Sequence, residues 1–250
     1  MHPCHPSPVV NRRRRTLIRT AGLLMLASMT GSLRAWGQDS GAKRPIGVIG
    51  SGRIGGTIGG LWIKSGHRVM FSSRHPEELK EMASKLGPLA STGTVAQALQ
   101  FADVVLIAVP YGALPQIGQD NGPALKGKIV LDACNAVAAR DGRIAEEVES
   151  EGVGKTSQKY LPGTRLVRAF NTLGYTIFAR EANRPDPKLA VPIAGDDAEA
   201  LQVASSLVRD AGFDPVVAGS LADARRFQRG GPGYGLSVTA AELKQKLALP

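Results

Sequence analysis

The chain has 250 residues, of which 31 are basic and 21 acidic, and its formal net charge is +10. Six of the basic residues are arginines in the first 37 residues, which contain no acidic residue, so the rest of the chain carries a net charge of only +4. This modest charge argues against nucleic-acid binding by the rest of the chain. Its length of about 213 residues suffices for one well-cored domain.

The first 37 residues resemble a twin-arginine export signal. Residues 14–19 read Arg-Arg-Thr-Leu-Ile-Arg, and the apolar segment at 21–33 is too short and too interrupted by Gly, Ser and Thr to span a bilayer. Small residues at 35 and 37 suit a cleavage site. We expect residues 1–37 to be a signal peptide that the twin-arginine machinery uses to export the folded protein to the periplasm, and residues 38–44 to be a short leader. The alternative is an uncleaved basic arm that contacts nucleic acid or membrane.

The next stretch predicts the phosphate-binding turn of a dinucleotide-binding domain. A short apolar run, Ile46–Ile49, stops at glycine, and a helical pattern follows at once. Gly50, Gly52 and Gly55 have the G-x-G-x-x-G spacing, which allows a tight turn, a close approach of the backbone to a pyrophosphate, and close packing of helix on strand. The alternative is a glycine-rich turn with a structural role only. The residues predicted to bind the cofactor here are Gly50, Ser51, Gly52, Arg53, Ile54 and Gly55.

The end of the second predicted strand indicates which dinucleotide binds. NAD-binding domains usually have an Asp or Glu there, about 20 residues after the glycines, for the ribose 2′-hydroxyl. This chain has Ser73 and Arg74 instead, after the strand at 68–72. A hydroxyl and a guanidinium suit a 2′-phosphate, which favours NADP over NAD. The alternative is a solvated loop before a helix that begins near Pro76.

The remainder of the chain alternates apolar runs with helical segments. The run at 103–110 is apolar almost throughout, as in a strand buried on both faces of a parallel sheet. We therefore predict an α/β fold of the Rossmann type, with a doubly wound, mostly parallel sheet over residues 45–229. A glycine-rich loop and a short helix, residues 230–250, form a C-terminal extension. Further strands are predicted at 128–132, 165–170, 189–194 and 213–218, and helices at 76–86, 92–98, 197–211 and 242–247.

The carboxyl ends of the central strands supply the second set of site candidates, because ligands of such sheets bind there. We expect these residues to border the nicotinamide or a substrate that lies on it. Ordinary loop chemistry is the alternative, and Asn171 with Thr172 is equally suited to cap the helix that follows. The candidates are Ala108, Val109, Pro110 and Tyr111 after the fourth strand, Asn135 after the fifth, and Asn171 and Thr172 after the sixth.

The residue inventory favours simple hydride transfer. After residue 37 the chain has two histidines, His67 and His75, both expected near the adenosine end of the ligand. Tyr111 and Tyr175 are the remaining acids for carbonyl or imine reduction, although aromatic packing is the favoured role for both. Cys134, the only cysteine in this part of the chain, is expected to be small buried filler. No spacing indicates a metal site or a Ser/His/Asp set.

Several stretches together resemble the NADPH-dependent reductases of the deazaflavin coenzyme F-420 and related NADP-binding domains, such as the N-terminal domain of pyrroline-5-carboxylate reductase. The resemblance extends over about residues 45–229. It implies a Rossmann domain with a short C-terminal extension and direct hydride transfer between NADPH and a flavin-like ring. The stretches that carry it are Gly50–Gly55, Ser72–Arg74, Ala108–Pro110, Val167–Leu173 and Gly212–Arg225.

By position, the resemblance assigns Ser51, Arg53 and Ile54 to the pyrophosphate, Ser73 and Arg74 to the 2′-phosphate, and Val109, Pro110 and Asn171 to the nicotinamide. One position departs from the family pattern: Glu78 stands where members often have a basic residue, so that His75 or Lys80 would have to replace it.

The predicted function is an NADP(H)-dependent oxidoreductase with a flavin-like or deazaflavin acceptor. Homodimers are common among such domains, but the sequence specifies no interface. The alternatives are a small-molecule imine or hydroxyacid dehydrogenase and a non-catalytic NADP-binding protein of the periplasm.

Overall fold

The computed structural model describes residues 1–3 and 43–250. The predicted signal peptide and leader lie almost wholly outside these residues, so export stays a prediction, which cell fractionation would test. Residues Ala42–Pro250 form one unit. Within the described part of the chain, no helix has both the length and the apolar character needed to cross a membrane.

Within residues 43–250, eight strands form a single sheet in the order β3-β2-β1-β4-β5-β6-β7-β8. Strands β1 to β6 are parallel to one another, β7 is antiparallel to β6, and β8 is parallel to β7. The predicted doubly wound, mostly parallel sheet is therefore confirmed. The strands are β1 Ile46–Ile49, β2 Val69–Ser72, β3 Ala90–Gly93, β4 Val104–Ile107, β5 Ile129–Asp132, β6 Arg165–Arg168, β7 Ala190–Gly195 and β8 Asp214–Gly219.

Helices cover both faces of the sheet. They are α1 Arg53–Lys64, α2 Lys80–Leu86, α3 Val95–Phe101, α4 Leu114–Leu125, α5 Ala138–Asp141, α6 Arg143–Glu151, α7 Val153–Tyr160, α8 Tyr175–Glu181, α9 Ala198–Asp210 and α10 Ala240–Lys246. Short 3₁₀ helices span Pro76–Leu79, Tyr111–Ala113 and Leu221–Phe227.

One predicted helix, at 92–98, is displaced. Its first two residues end β3, and α3 begins only at Val95, after Thr94 and Gln97 form a reciprocal capping box. Strand β3 lies at the sheet edge and is mostly half-buried, so its sequence, Ala-Ser-Thr-Gly, lacks the apolar run that predicts a strand.

Two hydrophobic clusters lie on opposite faces of the sheet because successive side chains of each strand point to opposite sides. One cluster joins α1, α8 and α9 to the sheet and contains four aromatic rings whose centroids are 5.4 to 6.5 Å apart. The other joins α3, α4 and α7 to the opposite face. The rings are those of Trp62, Phe170, Phe178 and Phe213.

The C-terminal extension packs on the sheet. The Ala190 amide, at the start of β7, donates to the Val238 carbonyl at 2.9 Å, and the Gly235 amide donates to the Thr172 carbonyl at 3.0 Å. Leu243 and Leu247 are buried in the second cluster. Residues 230–250 therefore belong to the same unit as the sheet.

Two substitutions test the packing of α1 against the glycine turn. A methyl group at Gly55 would lie 2.1 Å from the Gly50 carbonyl oxygen, whereas one at Gly56 meets only ordinary contacts beginning at 3.5 Å. We expect Gly55→Ala to lower the free energy of unfolding by about 3 kcal/mol through overpacking against backbone. In the same helix, Gly56→Ala should raise it by about 0.5 kcal/mol. Urea unfolding measures both, and equal effects of the two substitutions would contradict the packing described.

Candidate functional site

The glycine turn has the geometry that a phosphate-binding turn requires. Gly50 has a φ of +93°, in the left-handed region, and a side chain there would collide with the Ala108 carbonyl oxygen at 2.5 Å. Gly55 packs against the Gly50 carbonyl. A methyl group at Gly52 would meet no atom of residues 43–250 within 4 Å. The turn is therefore closed towards the sheet and open on the side where a pyrophosphate would approach.

The first turn of α1 is arranged to bind an anion. No side chain in the described part of the chain caps the helix, and no acidic residue lies in its first turn. Among the described residues, no acceptor pairs with the amides of Gly52, Arg53 and Ile54. Unpaired donors at the positive end of a helix dipole favour negative charge, so the residues present fit a dinucleotide pyrophosphate. The Ser51 hydroxyl donates to the Ser72 carbonyl at 3.1 Å and ties the turn to the end of β2.

Arg53 stacks on a tyrosine beside the turn. Its guanidinium lies 5.3 Å from the centroid of the Tyr175 ring, and Arg53 is itself exposed. The stacking restrains the guanidinium of the first residue of α1, next to the glycine turn, where its charge favours a phosphate. The partner of Tyr175 within the protein is thus a cation, and the packing against a ligand ring that we favoured for it stays a prediction.

The end of β2 presents one exposed cation. The Ser73 hydroxyl accepts a hydrogen bond from the His75 amide at 2.9 Å, so Ser73 shapes this turn. Arg74 is exposed, and no described residue forms an ion pair with it. The nearby carboxylate of Glu77 is 3.4 Å from His75. The guanidinium of Arg74 is therefore available to a ligand phosphate.

The end of β4 places two of its four candidates beside the turn. The Ala108 carbonyl and the Val109 side chain both lie against Gly50, and Pro110 is exposed next to them. Tyr111 is different: it is fully buried, with its hydroxyl 2.9 Å from Ser157 Oγ. Burial raises the pKa of Tyr111. The prediction that Tyr111 borders the ligand pocket is therefore wrong, because its ring fills the core between β4 and α7.

The ends of β5 and β6 bring two predicted asparagines together. Asn135 Nδ2 donates to the Asn171 carbonyl at 2.6 Å, and Asn171 Nδ2 donates to the Phe227 carbonyl at 3.2 Å. Asn171 and Thr172 are both buried, and neither caps α8, whose N-cap is Gly174. The capping alternative is thus wrong. Asn135 reaches the open side of the site, whereas Asn171 connects the end of β6 to the C-terminal part of the chain.

A cleft of about 820 Å³ begins at Asn135 and Ala136. Apolar side chains of α6 and α7 line one wall, and Tyr234 and a glycine pair, Gly230–Gly231, line another. The cleft is not evident from the sequence, because its walls come from segments about 80 residues apart, one of which is predicted only as a glycine-rich loop. The glycine-rich stretch between Arg229 and Tyr234 was the one available signal.

Charged side chains of both signs surround the cleft. Glu146 and Glu149 are exposed on α6, and Arg225 and Arg229 are exposed on the other side. Arg225 Nη2 donates to the Ser150 carbonyl at 2.6 Å, which connects the two walls. A ligand in the cleft therefore meets apolar walls and a charged rim.

An ionic clamp fixes the loop after Asn135. Arg140 Nη2 donates to the Asn135 carbonyl at 2.7 Å and also pairs with Asp141. Asp141 accepts from the Gly112 amide at 3.1 Å and from the Val137 amide at 2.8 Å. Burial opposes ionisation of Asp141, but the hydrogen bonds from Arg140 and the two amides outweigh it and lower the pKa of the carboxyl. The clamp joins the loop after β4 to the loop after β5.

The structure also places Cys134 and His67, the remaining reactive side chains with a position predicted from the sequence. Cys134 is buried, as predicted, and burial raises the pKa of its thiol. His67 is also buried, and its ring contacts Asp210. Because His67 lies just before β2, it is at the edge of the sheet opposite the carboxyl ends of the parallel strands, so its predicted place near the adenosine is wrong. Within the described residues, no group of His, Cys, Asp or Glu side chains is placed to hold a metal ion.

The fold and the glycine turn define a dinucleotide-binding protein of the Rossmann type. Residues 45–136 match the family described as NADP oxidoreductase, coenzyme F420-dependent. The predicted resemblance to this family is therefore confirmed over that stretch.

Three individual proteins are similar to most of this chain. Metalloreductase STEAP3 of Rattus norvegicus is 29% identical over 73% of this chain, which covers only 35% of that protein. A hypothetical protein of Sinorhizobium meliloti is 27% identical, with a TM-score of 0.67 over 80% of this chain and 97% of the other. A proposed F420-dependent NADP reductase of Arthrobacter sp. FB24 is 23% identical and shares the fold, with a TM-score of 0.63 over 72% and 86% of the two chains. The first of these relatives is thus about three times as long as the matched segment.

The Asp141 clamp predicts a pH-dependent contribution to stability. Because the pKa of this carboxyl is lower in the folded chain, its contribution is present above the unfolded pKa of about 3.9 and is lost as the pH falls through the folded pKa. We expect Asp141→Asn to lower the free energy of unfolding by about 1.5 kcal/mol at pH 7. Denaturant unfolding from pH 7 to pH 3 should show the difference from wild type shrinking below about pH 4. A difference that stays constant over this range would show that the charge of Asp141 is not what stabilises the loop.

Proposed function

We propose that the protein is an NADP(H)-dependent oxidoreductase that passes a hydride between nicotinamide and a flavin-like or deazaflavin acceptor. The observation that carries the proposal is that the glycine turn and the cleft lie at the same edge of the sheet. The turn follows β1, the cleft begins after β5, and β4 lies between these strands. A dinucleotide anchored at the turn and extended along this edge would bring its nicotinamide to the cleft, since the chain connections change direction between β1 and β4.

The preference for NADP is supported by Arg74. The residue is exposed at the end of β2, and Ser73 and Arg74 stand where NAD-binding domains usually have an acid. A guanidinium binds a 2′-phosphate through two parallel charge-assisted hydrogen bonds. In the proposed complex, Arg74 reads the phosphate, and the amides of the turn together with Arg53 hold the pyrophosphate.

The acceptor class is supported by the shape and chemistry of the cleft. A volume of about 820 Å³ is within the range of sites for a planar ligand of drug size. Its apolar walls suit a ring, and its lining contains no histidine and no lysine. Reduction of a carbonyl or imine needs a positioned acid, whereas transfer to a flavin-like ring needs mainly proximity and parallel stacking. When bound, the nicotinamide supplies or accepts the hydride, and the protein's groups bind and orient.

The side chains at the site act by binding and orienting the two rings. Ala108 and Val109 border the turn on the side of β4, and Asn135 lies at the mouth of the cleft. The apolar side chains of Val148 and Val153 exclude water from the inner wall. In this proposal the site holds two rings against each other, and no side chain forms a bond to either.

Arg74 provides the direct test of the cofactor. We expect Arg74→Glu to raise the Kd of NADPH by at least about tenfold, because a charge-assisted interaction is replaced by repulsion, and to change the Kd of NADH by less than about threefold. Titration calorimetry with the full chain measures both. Lys126→Glu, an equal change of charge at an exposed position after α4, is the control and should change neither. Equal losses for NADPH and NADH would show that Arg74 does not read the 2′-phosphate, and no binding of either dinucleotide to wild type would refute the proposed function.

Tyr234 distinguishes hydride transfer to a ring from carbonyl or imine reduction. It is the only tyrosine among the residues that line the cleft. Under the proposal, Tyr234→Phe changes the rate of NADPH oxidation with FMN, FAD or F-420 by less than about threefold, because no proton donor is needed. Tyr160→Phe, outside the cleft, is the matched control. A loss of about a hundredfold or more with Tyr234→Phe alone would assign Tyr234 as a general acid and favour the imine or hydroxyacid alternative. Binding of NADPH without turnover of any acceptor would favour the non-catalytic alternative.

A further inference from the structure

A fully buried ion pair joins the ends of two central strands. Asp132 ends β5 and Arg168 ends β6, and the two residues are register partners in the parallel sheet. Both side chains are 0% exposed, and Arg168 Nη1 contacts Asp132 Oδ2. The sequence pattern did not single out either charge, because both lie at the ends of strands predicted from their apolar residues.

Stability alone does not account for this pair. Removing two charges from water carries a large desolvation cost, and replacing a buried pair by apolar residues of similar volume is often neutral or stabilising. The pair is also incompletely satisfied, because Arg168 Nε has no acceptor among the described residues. The contacts of the remaining polar atoms indicate a different role.

Those contacts hold one backbone residue from both sides. Asp132 Oδ1 accepts from the Cys134 amide at 2.8 Å, and Arg168 Nη2 donates to the Cys134 carbonyl at 2.6 Å. The two members of the pair therefore fix both backbone polar groups of Cys134. The Cys134 thiol is also 3.5 Å from the Ile107 carbonyl, which ties the residue to β4.

The residue that follows is Asn135, at the mouth of the cleft. Its carbonyl accepts from Arg140, and its side-chain amide donates to the Asn171 carbonyl at 2.6 Å. Fixed on its N-terminal side by the ion pair, Asn135 has little freedom to move away from the strand ends. A chain of polar contacts thus runs from the buried charges to the edge of the proposed nicotinamide site.

We propose that Asp132 and Arg168 are positioning residues: they hold the Cys134 backbone so that Asn135 presents a preorganised surface to the nicotinamide ring. This inference rests on the proposed function. It states that the pair acts on the nicotinamide half of the ligand and leaves the adenosine half unaffected, since the glycine turn and Arg74 follow β1 and β2.

Affinities for two ligands distinguish an effect on the nicotinamide half from an effect on the adenosine half. NADPH spans the whole site, whereas 2′-phosphoadenosine 5′-diphosphoribose lacks the nicotinamide. We expect wild type to bind NADPH more tightly than the fragment, because a preorganised surface adds affinity. In the double variant Asp132→Leu/Arg168→Met, which keeps the volume and removes both charges, this preference should fall by at least about tenfold. The Kd of the fragment should change by less than about twofold. Calorimetry measures both affinities, and circular dichroism checks the fold.

A milder variant makes the test independent of the double replacement. Arg168→Lys keeps a cation beside Asp132 but has no second nitrogen for the Cys134 carbonyl, so it should lower the preference for NADPH by about threefold or more. Arg165→Lys, on the same strand but in a partly exposed pair with Asp197, is the matched control and should change neither affinity. If the double variant does not fold, Arg168→Lys decides.

The possible results distinguish a failure of the proposed function from a failure of the role assigned to the ion pair. Wild type that binds neither ligand refutes the proposed function itself. Wild type that binds both ligands, with folded variants that keep its preference for NADPH, overturns only the role of the ion pair. That role is also overturned if wild type shows no preference for NADPH, because the site would then have no preorganised surface for the nicotinamide.

Discussion

The contact between Gly55 and the Gly50 carbonyl is the constraint on which the site depends. It brings α1 so close to β1 that the first turn of the helix lies directly over the strand end. Only then do the unpaired amides of α1 face the edge of the sheet where ligands bind. The aromatic cluster under α1, with Trp62 packed edge-on against Phe170, holds the helix in this position. Packing on one face of the sheet thus builds a candidate anion site at its edge.

The same edge is built differently at its other end. At β5 and β6 no glycine turn occurs, and buried charges with a hydrogen-bonded asparagine pair fix the loops instead. Phe170, just before Asn171, has a φ of +58°, a conformation that side chains rarely adopt, and its ring is locked among three aromatic neighbours. Core packing therefore sustains a strained backbone next to the site, as is common where geometry serves function.

The last part of the chain completes this end of the edge. The Asn171 side chain donates to the Phe227 carbonyl, and the loop after Phe227 supplies a wall of the cleft. Strands β7 and β8 run opposite to the first six, which returns the chain to the strand ends and allows residues 225–234 to reach them. The cleft thus exists because the sheet changes direction after β6.

The sequence by itself determined the local features: the glycine turn, the buried parallel strands, Ser73 and Arg74 in place of an acid at the end of β2, and the family resemblance. These depend on residue type and spacing within short segments, which fix backbone conformation directly. Only the tertiary structure decided which side chains line the candidate site. It buried Tyr111, gave Asn171 a structural partner, paired Asp132 with Arg168, and assembled the cleft from α6 and the loop at 225–234. The physical reason is that these contacts join residues 36 or more positions apart, and their formation depends on strand order and helix packing, which local spacing does not encode.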